Sequence, residues 1–164
     1  YGDSCEVCGA VYARTELNVR QDSQAWALDG VRAVDGQPLP ALPNAAIVTP
    51  AGASGPAILV GPNFGALLRY NNSVNYALAV GLLARQIDGG DGLLTPWPRD
   101  LPALARGEIK VLQQALNDRG FGAGAVDGVL GPATRAGVRR LQQSLGLPAD
   151  GFATPQLLER LQAP

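Results

Sequence analysis

The sequence predicts a mainly α chain of the α+β class in two parts, the first carrying a small β-hairpin and the second built of three helices. Three observations predict it. Two short apolar runs, Ala46-Ile-Val-Thr49 and Ala57-Ile-Leu-Val60, flank a turn-rich loop, which is the pattern of a hairpin with a longer connection. Apolar residues at Ile109, Leu112 and Leu116, and again at Val138, Leu141 and Leu145, follow i, i+3, i+7 spacing and so share one face of a helix. Between the two regions, residues 89–106 (GGDGLLTPWPRDLPALAR) hold three prolines and three glycines, as a linker or strapping loop does. The expected division is 1–90, a linker at 91–105, and a second domain at 106–164.

Each element has its own signal. Residues 1–20 show no clean periodicity. Ser23 is placed to cap a short helical turn through Leu28, which Asp29-Gly30 ends. Asp35 to Pro40 is turn-rich and extended. Asn63 is placed to cap a short helix through Phe64, Leu67 and Leu68 that ends near Tyr70. Ser73 is placed to cap a longer one from Val74 to Ile87, stopped by Gly89-Gly90. In the second part, helices are expected at about 107–118, 133–145 and 155–162, with Pro132 and Pro155 in first turns. An internal echo runs through it: Leu112-Gln-Gln-Ala-Leu116 returns as Leu141-Gln-Gln-Ser-Leu145, and Asp127-Gly128 returns as Asp150-Gly151. Val126, Leu130, Leu147 and Phe152 are the expected filling of its centre. A domain of roughly 60 residues buries only about 60% of its chain surface, so nearly all these apolar residues are needed as core.

Composition narrows the function. The 164 residues are 46% hydrophobic and 16% charged, with a net charge of −1 and a mean hydropathy of +0.05. Twelve of the thirteen basic residues are Arg, and they form no stripe. Nucleic acid is disfavoured as a partner, because phosphate contacts need clustered Lys and Arg. No apolar run approaches the roughly 20 residues of a membrane span, and no leader peptide is visible. The chain has no Met and begins at Tyr1, so a piece of a longer or processed protein is expected. It has no His, which excludes His-based nucleophile pairs and disfavours zinc. No cofactor or metal is expected. Cys5 and Cys8 form one C-x-x-C that stays open among a local disulfide or inert pair, a bridge or ligand involving other sequence, and redox work.

One stretch stands out, Arg69-Tyr-Asn-Asn-Ser-Val-Asn-Tyr-Ala-Leu-Ala-Val80. Neutral hydrogen-bonding groups crowd the start of an otherwise apolar helix. Asn donates and accepts hydrogen bonds, and Tyr pairs a flat apolar face with a polar tip. Such groups suit a neutral polysaccharide. They equally suit caps and turns between two helices.

The pattern LQQALNDRGF…AVDGVLGPATRAGVRRLQQSLGLPADG, from about Glu108 to Leu161, resembles the three-helix peptidoglycan-binding domain of bacterial cell-wall enzymes. The segments WALDGVRAVDGQPLP, IVTPAGASGPAILVGPNF and LLRYNNSVNYALAVGLLA, from about Ala25 to Gly90, resemble the C-terminal part of the catalytic region in lytic murein transglycosylases of the B family. The resemblance implies a lysozyme-like fold for the first part. It implies that Tyr70, Asn71 and Tyr76 face the glycan, and that Asp127, Gly128, Gly131, Thr134 and Arg135 contact peptidoglycan in the second part. Turn chemistry alone also accounts for Asp127, Gly128, Gly131 and Thr134. Arg135 has the donor fork to pair with a stem-peptide carboxylate.

In that family one glutamate protonates the leaving oxygen of the MurNAc–GlcNAc bond and then helps close a 1,6-anhydro ring. The family motif Glu-[Ser/Thr]-x-[Tyr/Phe]-Gly surrounds none of Glu6, Glu16, Glu108 and Glu159. The implied role is peptidoglycan binding as the C-terminal fragment of a transglycosylase, with no catalytic residue in this chain and no activity alone. Implied partners are glycan strands and stem peptides in the bacterial periplasm or cell envelope. A complete, non-catalytic wall-binding protein and a structural use of the three-helix module are the alternatives.

Overall fold

The computed structural model describes residues 3–7 and 9–162, and they form two compact units that divide between Pro98 and Arg99. Cys8 lies outside the described residues, and with it the choice left open for the Cys5-x-x-Cys8 motif.

The first unit is built on a four-stranded antiparallel sheet of order β2-β1-β4-β3. Its strands are β1 (Asp3–Glu6), β2 (Arg32–Ala33), β3 (Ala46–Val48) and β4 (Ala57–Val60). The expected hairpin is β3 with β4, in the register Ala46↔Val60, Ile47↔Leu59 and Val48↔Ile58. The sheet extends beyond it, because β1 lies along the other side of β4 with Ser4 opposite Ile58. A four-residue strand of sequence DSCE shows no alternation to read. Its place comes from the open edge of β4.

Both β3 and β4 are buried along their whole length. That is why they read as continuous apolar runs instead of alternating ones. One face, with Ile47, Leu59 and Ala57, packs on Trp26, Val31, Val11 and Cys5. The other, with Ala46, Val48, Ile58 and Val60, packs on Phe64, Ala77 and Leu78. Each fully buried Ile or Leu contributes about 1.5–3 kcal/mol. Trp26 is wholly enclosed, donates from Nε1 to the Ala45 carbonyl at 3.0 Å, and carries the Arg14 guanidinium 4.9 Å above its ring.

Three helices complete this unit: α1 (Ser23–Leu28), α2 (Pro62–Tyr70) and α3 (Val74–Ile87). Ser73 caps α3 as expected, its Oγ accepting the Tyr76 N–H at 3.3 Å. Two other caps differ. Ser23 is buried inside the first turn of α1, where its Oγ accepts the Leu42 N–H, and Asp22 takes the cap position. Asn63 likewise falls inside α2, because Pro62 occupies the first turn and Gly61 precedes it; Pro fixes φ and needs no N–H there. Part of the Pro/Gly-rich stretch straps back onto this unit. Leu93 packs beside α2 and α3, and a Cβ built at Gly55 would lie 3.3 Å from Pro98 Cδ.

The second unit holds α4 (Arg106–Asp118), α5 (Pro132–Ser144) and α6 (Pro155–Gln162). Its core is Leu104, Ile109, Leu112, Leu116, Ala123, Val138, Leu141, Ala153, Leu157, Leu158 and Leu161, with Leu130 and Leu147 packed against it. Val126 and Leu145 leave the expected core, at 40% and 43% exposure. Leu145 stands just past α5, where the chain turns away at Gly146 with φ +66°. Val126 lies in the exposed loop before Asp127. Among the described residues no helix is long and apolar enough to cross a membrane.

Candidate functional sites

The first site is the corner between α2 and α3. Helix α2 ends at Tyr70 because Asn71 adopts an extended conformation, its N–H still bonded to the Leu67 carbonyl at 2.9 Å. Two residues later Ser73 starts α3. This tight reversal brings Tyr70 and Tyr76 together, with ring centroids 6.2 Å apart and planes tilted by 32°. Tyr70 is 82% exposed and Tyr76 36%. Among the described residues no hydrogen bond engages the Asn71 side-chain amide. The corner therefore presents two aromatic faces and one unspent amide, with Ser73 used as the cap and the Asn71 carbonyl accepting from Ser73 at 2.7 Å.

The second site surrounds Asp127, and there the expected contact residues are spent on each other. Gln113, wholly buried in α4, donates from Nε2 to Asp127 Oδ1 at 2.9 Å, to the Val129 carbonyl at 3.1 Å and to Thr134 Oγ1 at 3.0 Å. Its Oε1 accepts the Gly128 N–H at 2.8 Å. Asp127 Oδ1 also accepts the Val129 N–H at 2.8 Å. Thr134, 2% exposed, donates to the Ala123 carbonyl at 3.1 Å. The Gln113 amide, then the Val129 N–H, hold the Asp127 carboxyl below its ordinary range. Gly128 has φ +78°, and a Cβ there would sit 2.6 Å from Arg106 Cγ.

The internal echo is the same latch built twice. Gln142 donates to Asp150 Oδ1 at 2.6 Å and accepts the Gly151 N–H at 2.9 Å, while Asp150 Oδ1 accepts the Phe152 N–H at 2.8 Å. Arg139 donates to the Asp150 carbonyl at 3.2 Å as Arg106 does to that of Asp127 at 3.3 Å. Gln113 and Gln142 escaped sequence reasoning as site-forming residues. Their signal was present, since the first Gln of each Leu-Gln-Gln pairs with the Asp-Gly that follows it.

Gly131 is the cap residue of α5, and the Arg135 N–H bonds to its carbonyl at 3.0 Å. Arg135 is half-buried on α5, and no hydrogen bond engages its guanidinium among the described residues. It is the expected contact residue of this unit whose side chain stays available.

The glutamates offer no enclosed acid. Glu108 closes the first turn of α4 by accepting the Ala105 N–H at 2.6 Å. Glu6 and Glu159 are exposed, and Glu16 is half-buried.

Comparison with known proteins gives two family matches. Residues 6–85 match the transglycosylase SLT domain and residues 105–161 the peptidoglycan binding domain. The comparison with curated proteins returned no significant match. Among solved structures, the chain is similar to SltB3 from Pseudomonas aeruginosa in complex with NAG-anhNAM-pentapeptide, at 43% identity and a TM-score of 0.92. It is similar at 44% identity and the same TM-score to SltB3 in complex with NAG-NAM-pentapeptide. Either match covers 99% of this chain and 44% of that one, so the chain spans less than half the length of SltB3.

Proposed function

Because this chain belongs to the transglycosylase SLT domain family over residues 6–85 and to the peptidoglycan binding domain family over residues 105–161, we propose that it binds murein with both units as part of a lytic transglycosylase. The corner of α2 and α3 forms one wall of the glycan cleft. The three-helix unit holds the enzyme on the wall from the periplasmic side. The acid that cleaves the MurNAc–GlcNAc bond is supplied by another segment of the enzyme.

The observation that carries this reading is the exposed pair Tyr70 and Tyr76 beside the unspent Asn71 amide. A glycan strand offers flat apolar ring faces, hydroxyls and acetamides. Tyrosine faces cover the rings, and a free amide both donates to and accepts from the acetamide. None of the groups is charged, which suits a neutral sugar backbone. The ligands held by SltB3, a disaccharide of amino sugars bearing a pentapeptide, set the ligand class proposed here. In the second unit Arg135 supplies the charge for a stem-peptide carboxylate, while the latch around Asp127 fixes the loop beside it.

A glycosidic acid must be protonated when it meets substrate, which requires a desolvated setting. The exposed Glu6, Glu108 and Glu159 and the half-buried Glu16 are not enclosed, and none lies in the family motif. The chain alone is therefore expected to bind without cleaving.

Each neutral hydrogen bond contributes only about 0.5–1.5 kcal/mol, so retention depends on repeated sites along the polymer and on the linkage of the two units. Co-sedimentation with purified sacculi tests the proposal. The chain should pellet, and Asn71→Ala and Arg135→Ala should each weaken pelleting. A chain that stays in solution at saturating sacculi, or that itself releases anhydro-ended muropeptides, contradicts it.

A further inference from the structure

We propose that a pocket at the open edge of the first unit's sheet binds the zwitterionic α-amino acid group at the end of an aliphatic side chain of a stem peptide. The choice of a stem peptide rests on the murein reading above. Strand β2 ends the sheet beyond β1, and residues 33–39 turn back beside it. Here lies a pocket of about 430 Å³ whose walls include Glu6, Val31, Arg32, Val34, Gln37 and Leu39.

Glu6 and Arg32 are the pointed pair. They stand opposite each other in the register of β1 and β2, so their side chains leave the same face from Cβ atoms about 4.5–5.5 Å apart. Among the described residues no ion pair or hydrogen bond engages the Glu6 carboxylate, the Arg32 guanidinium or the Gln37 side-chain amide. Two opposite charges and one amide thus line the same pocket unspent. Apolar groups complete it: Val31 is 1% exposed, and Leu39 packs against the core of Cys5, Val11 and Trp26. The turn is fixed by its own bonds. The Gly36 N–H bonds to the Ala33 carbonyl at 3.1 Å, and the Gln37 N–H to Asp35 Oδ1 at 2.9 Å.

Charge selects the occupant. An anion drawn to Arg32 is repelled by Glu6, and a cation drawn to Glu6 is repelled by Arg32. A group with an ammonium and a carboxylate on one carbon satisfies both through charge-assisted hydrogen bonds. Its aliphatic stem covers Val31, Val34 and Leu39. A neutral sugar would leave both charges unpaired in a partly desolvated place. The pocket is distinct from the glycan corner, because α2 and α3 pack on the face of the sheet opposite to the one that Val31 and Leu39 cover. Two attachment points on one unit raise its retention on a polymer.

The test is a titration of the full chain followed through the backbone N–H signals of Val34, Gly36 and Gln37, which report on this pocket alone. The probes are a stem tetrapeptide with diaminopimelate as third residue, the same peptide with lysine there, and the amino-sugar disaccharide without peptide. Lysine keeps the ammonium and lacks the carboxylate. The diaminopimelate peptide should move these signals and bind about ten-fold or more tightly than the lysine peptide. Arg32→Gln should abolish that preference, and Glu6→Gln should weaken both peptides alike. Both positions are exposed, so the melting temperature should hold in each variant. Equal affinity for the two peptides, a preference that survives Arg32→Gln, or signals moved only by the disaccharide overturns the proposal. Sacculus pelleting separates it from the reading beneath it. Silent signals with pelleting intact sink the pocket alone, whereas a wild-type chain that fails to pellet sinks the wall-binding reading.

Discussion

Gln113 holds the Asp127-Gly128 turn by both ends of one amide, donating to Asp127 Oδ1 at 2.9 Å and accepting from the Gly128 N–H at 2.8 Å. Gln142 repeats the relation with Asp150 and Gly151. A side chain buried in a helix thus takes over the pairing that the irregular loop backbone cannot make with itself. Two loops of the second unit are fixed this way, and each latch includes a glycine at positive φ under an arginine.

Replacing Gln113 should therefore cost more than its own bonds. In Gln113→Leu the buried Gly128 N–H loses its acceptor, and Asp127 Oδ1, the Val129 carbonyl and Thr134 Oγ1 each lose a donor; a buried unsatisfied group costs about 1–3 kcal/mol. The expected loss is about 2–4 kcal/mol, read by urea denaturation of the second unit. Gln143→Leu, one residue past the second latch and exposed, should move stability by no more than about 0.5 kcal/mol. Equal effects would mean that the latch contributes nothing beyond helix content.

The latch also sets a pH dependence. The Gln113 amide, then the Val129 N–H, depress the folded pKa of Asp127 below its ordinary 3.8. A carboxyl depressed on folding stabilises fully above its unfolded pKa, and that contribution is lost as pH falls through the folded pKa. Asp29 behaves alike in the first unit, through Gln21 first and Arg14 second. Stability should be flat from pH 7 to about 5 and fall below about 4. Asp127→Asn should remove part of that acid-side slope in the second unit while leaving the slope of the first unchanged. A slope unaltered by the substitution would refute the assignment.

Two glycines separate conformational cost from steric cost. Gly36 and Gly128 have similar φ, +73° and +78°, but a Cβ at Gly36 meets nothing within 4 Å. At Gly128 it would lie 2.6 Å from Arg106 Cγ and 3.0 Å from the Arg106 carbonyl. Gly36→Ala should cost about 1–2 kcal/mol, the usual penalty for an L-residue in the left-handed region. Gly128→Ala should exceed it, because a backbone atom is among those that must move. Thermal melts of the two variants give the comparison directly.

Much of the fold was legible where a local signal and the tertiary context agree. The helices of the second unit stand within a residue of their expected bounds, since amphipathic spacing, first-turn prolines and Gly stops all point the same way. Strand β1 was illegible because its four residues are held by the edge of β4 and carry no pattern of their own. Ser23 and Asn63 looked like caps because their chemistry suits a cap. What decides the position is the neighbour, Asp22 in one case and Pro62 in the other. At the candidate sites, the grouping of Tyr70, Asn71 and Tyr76 followed from a helix ending and restarting within a few residues. The use of Asp127, Gly128 and Thr134 by Gln113 was missed, because it depends on a side chain from a helix a full loop away and only the repeated Leu-Gln-Gln with Asp-Gly signals it.

Tyr70 offers the sharpest separation of binding from folding. It is 82% exposed, so Tyr70→Ala removes little packing and should change stability by no more than about 0.5 kcal/mol. If its ring covers a sugar face, an aromatic contact of about 0.5–1.5 kcal/mol is lost, which corresponds to roughly a two- to twelve-fold weaker association with sacculi. Tyr70→Phe keeps the face and loses only the hydroxyl, so it should retain most of the binding. Tyr76→Ala is expected to weaken binding too, but with a measurable loss of stability, since Tyr76 stands on α3 against Tyr70 and is only 36% exposed. The ordering Phe above Ala at position 70, at constant melting temperature, is what a glycan-stacking surface produces. If Tyr70→Ala pellets with sacculi as well as the wild type, the corner between α2 and α3 is a turn and nothing more.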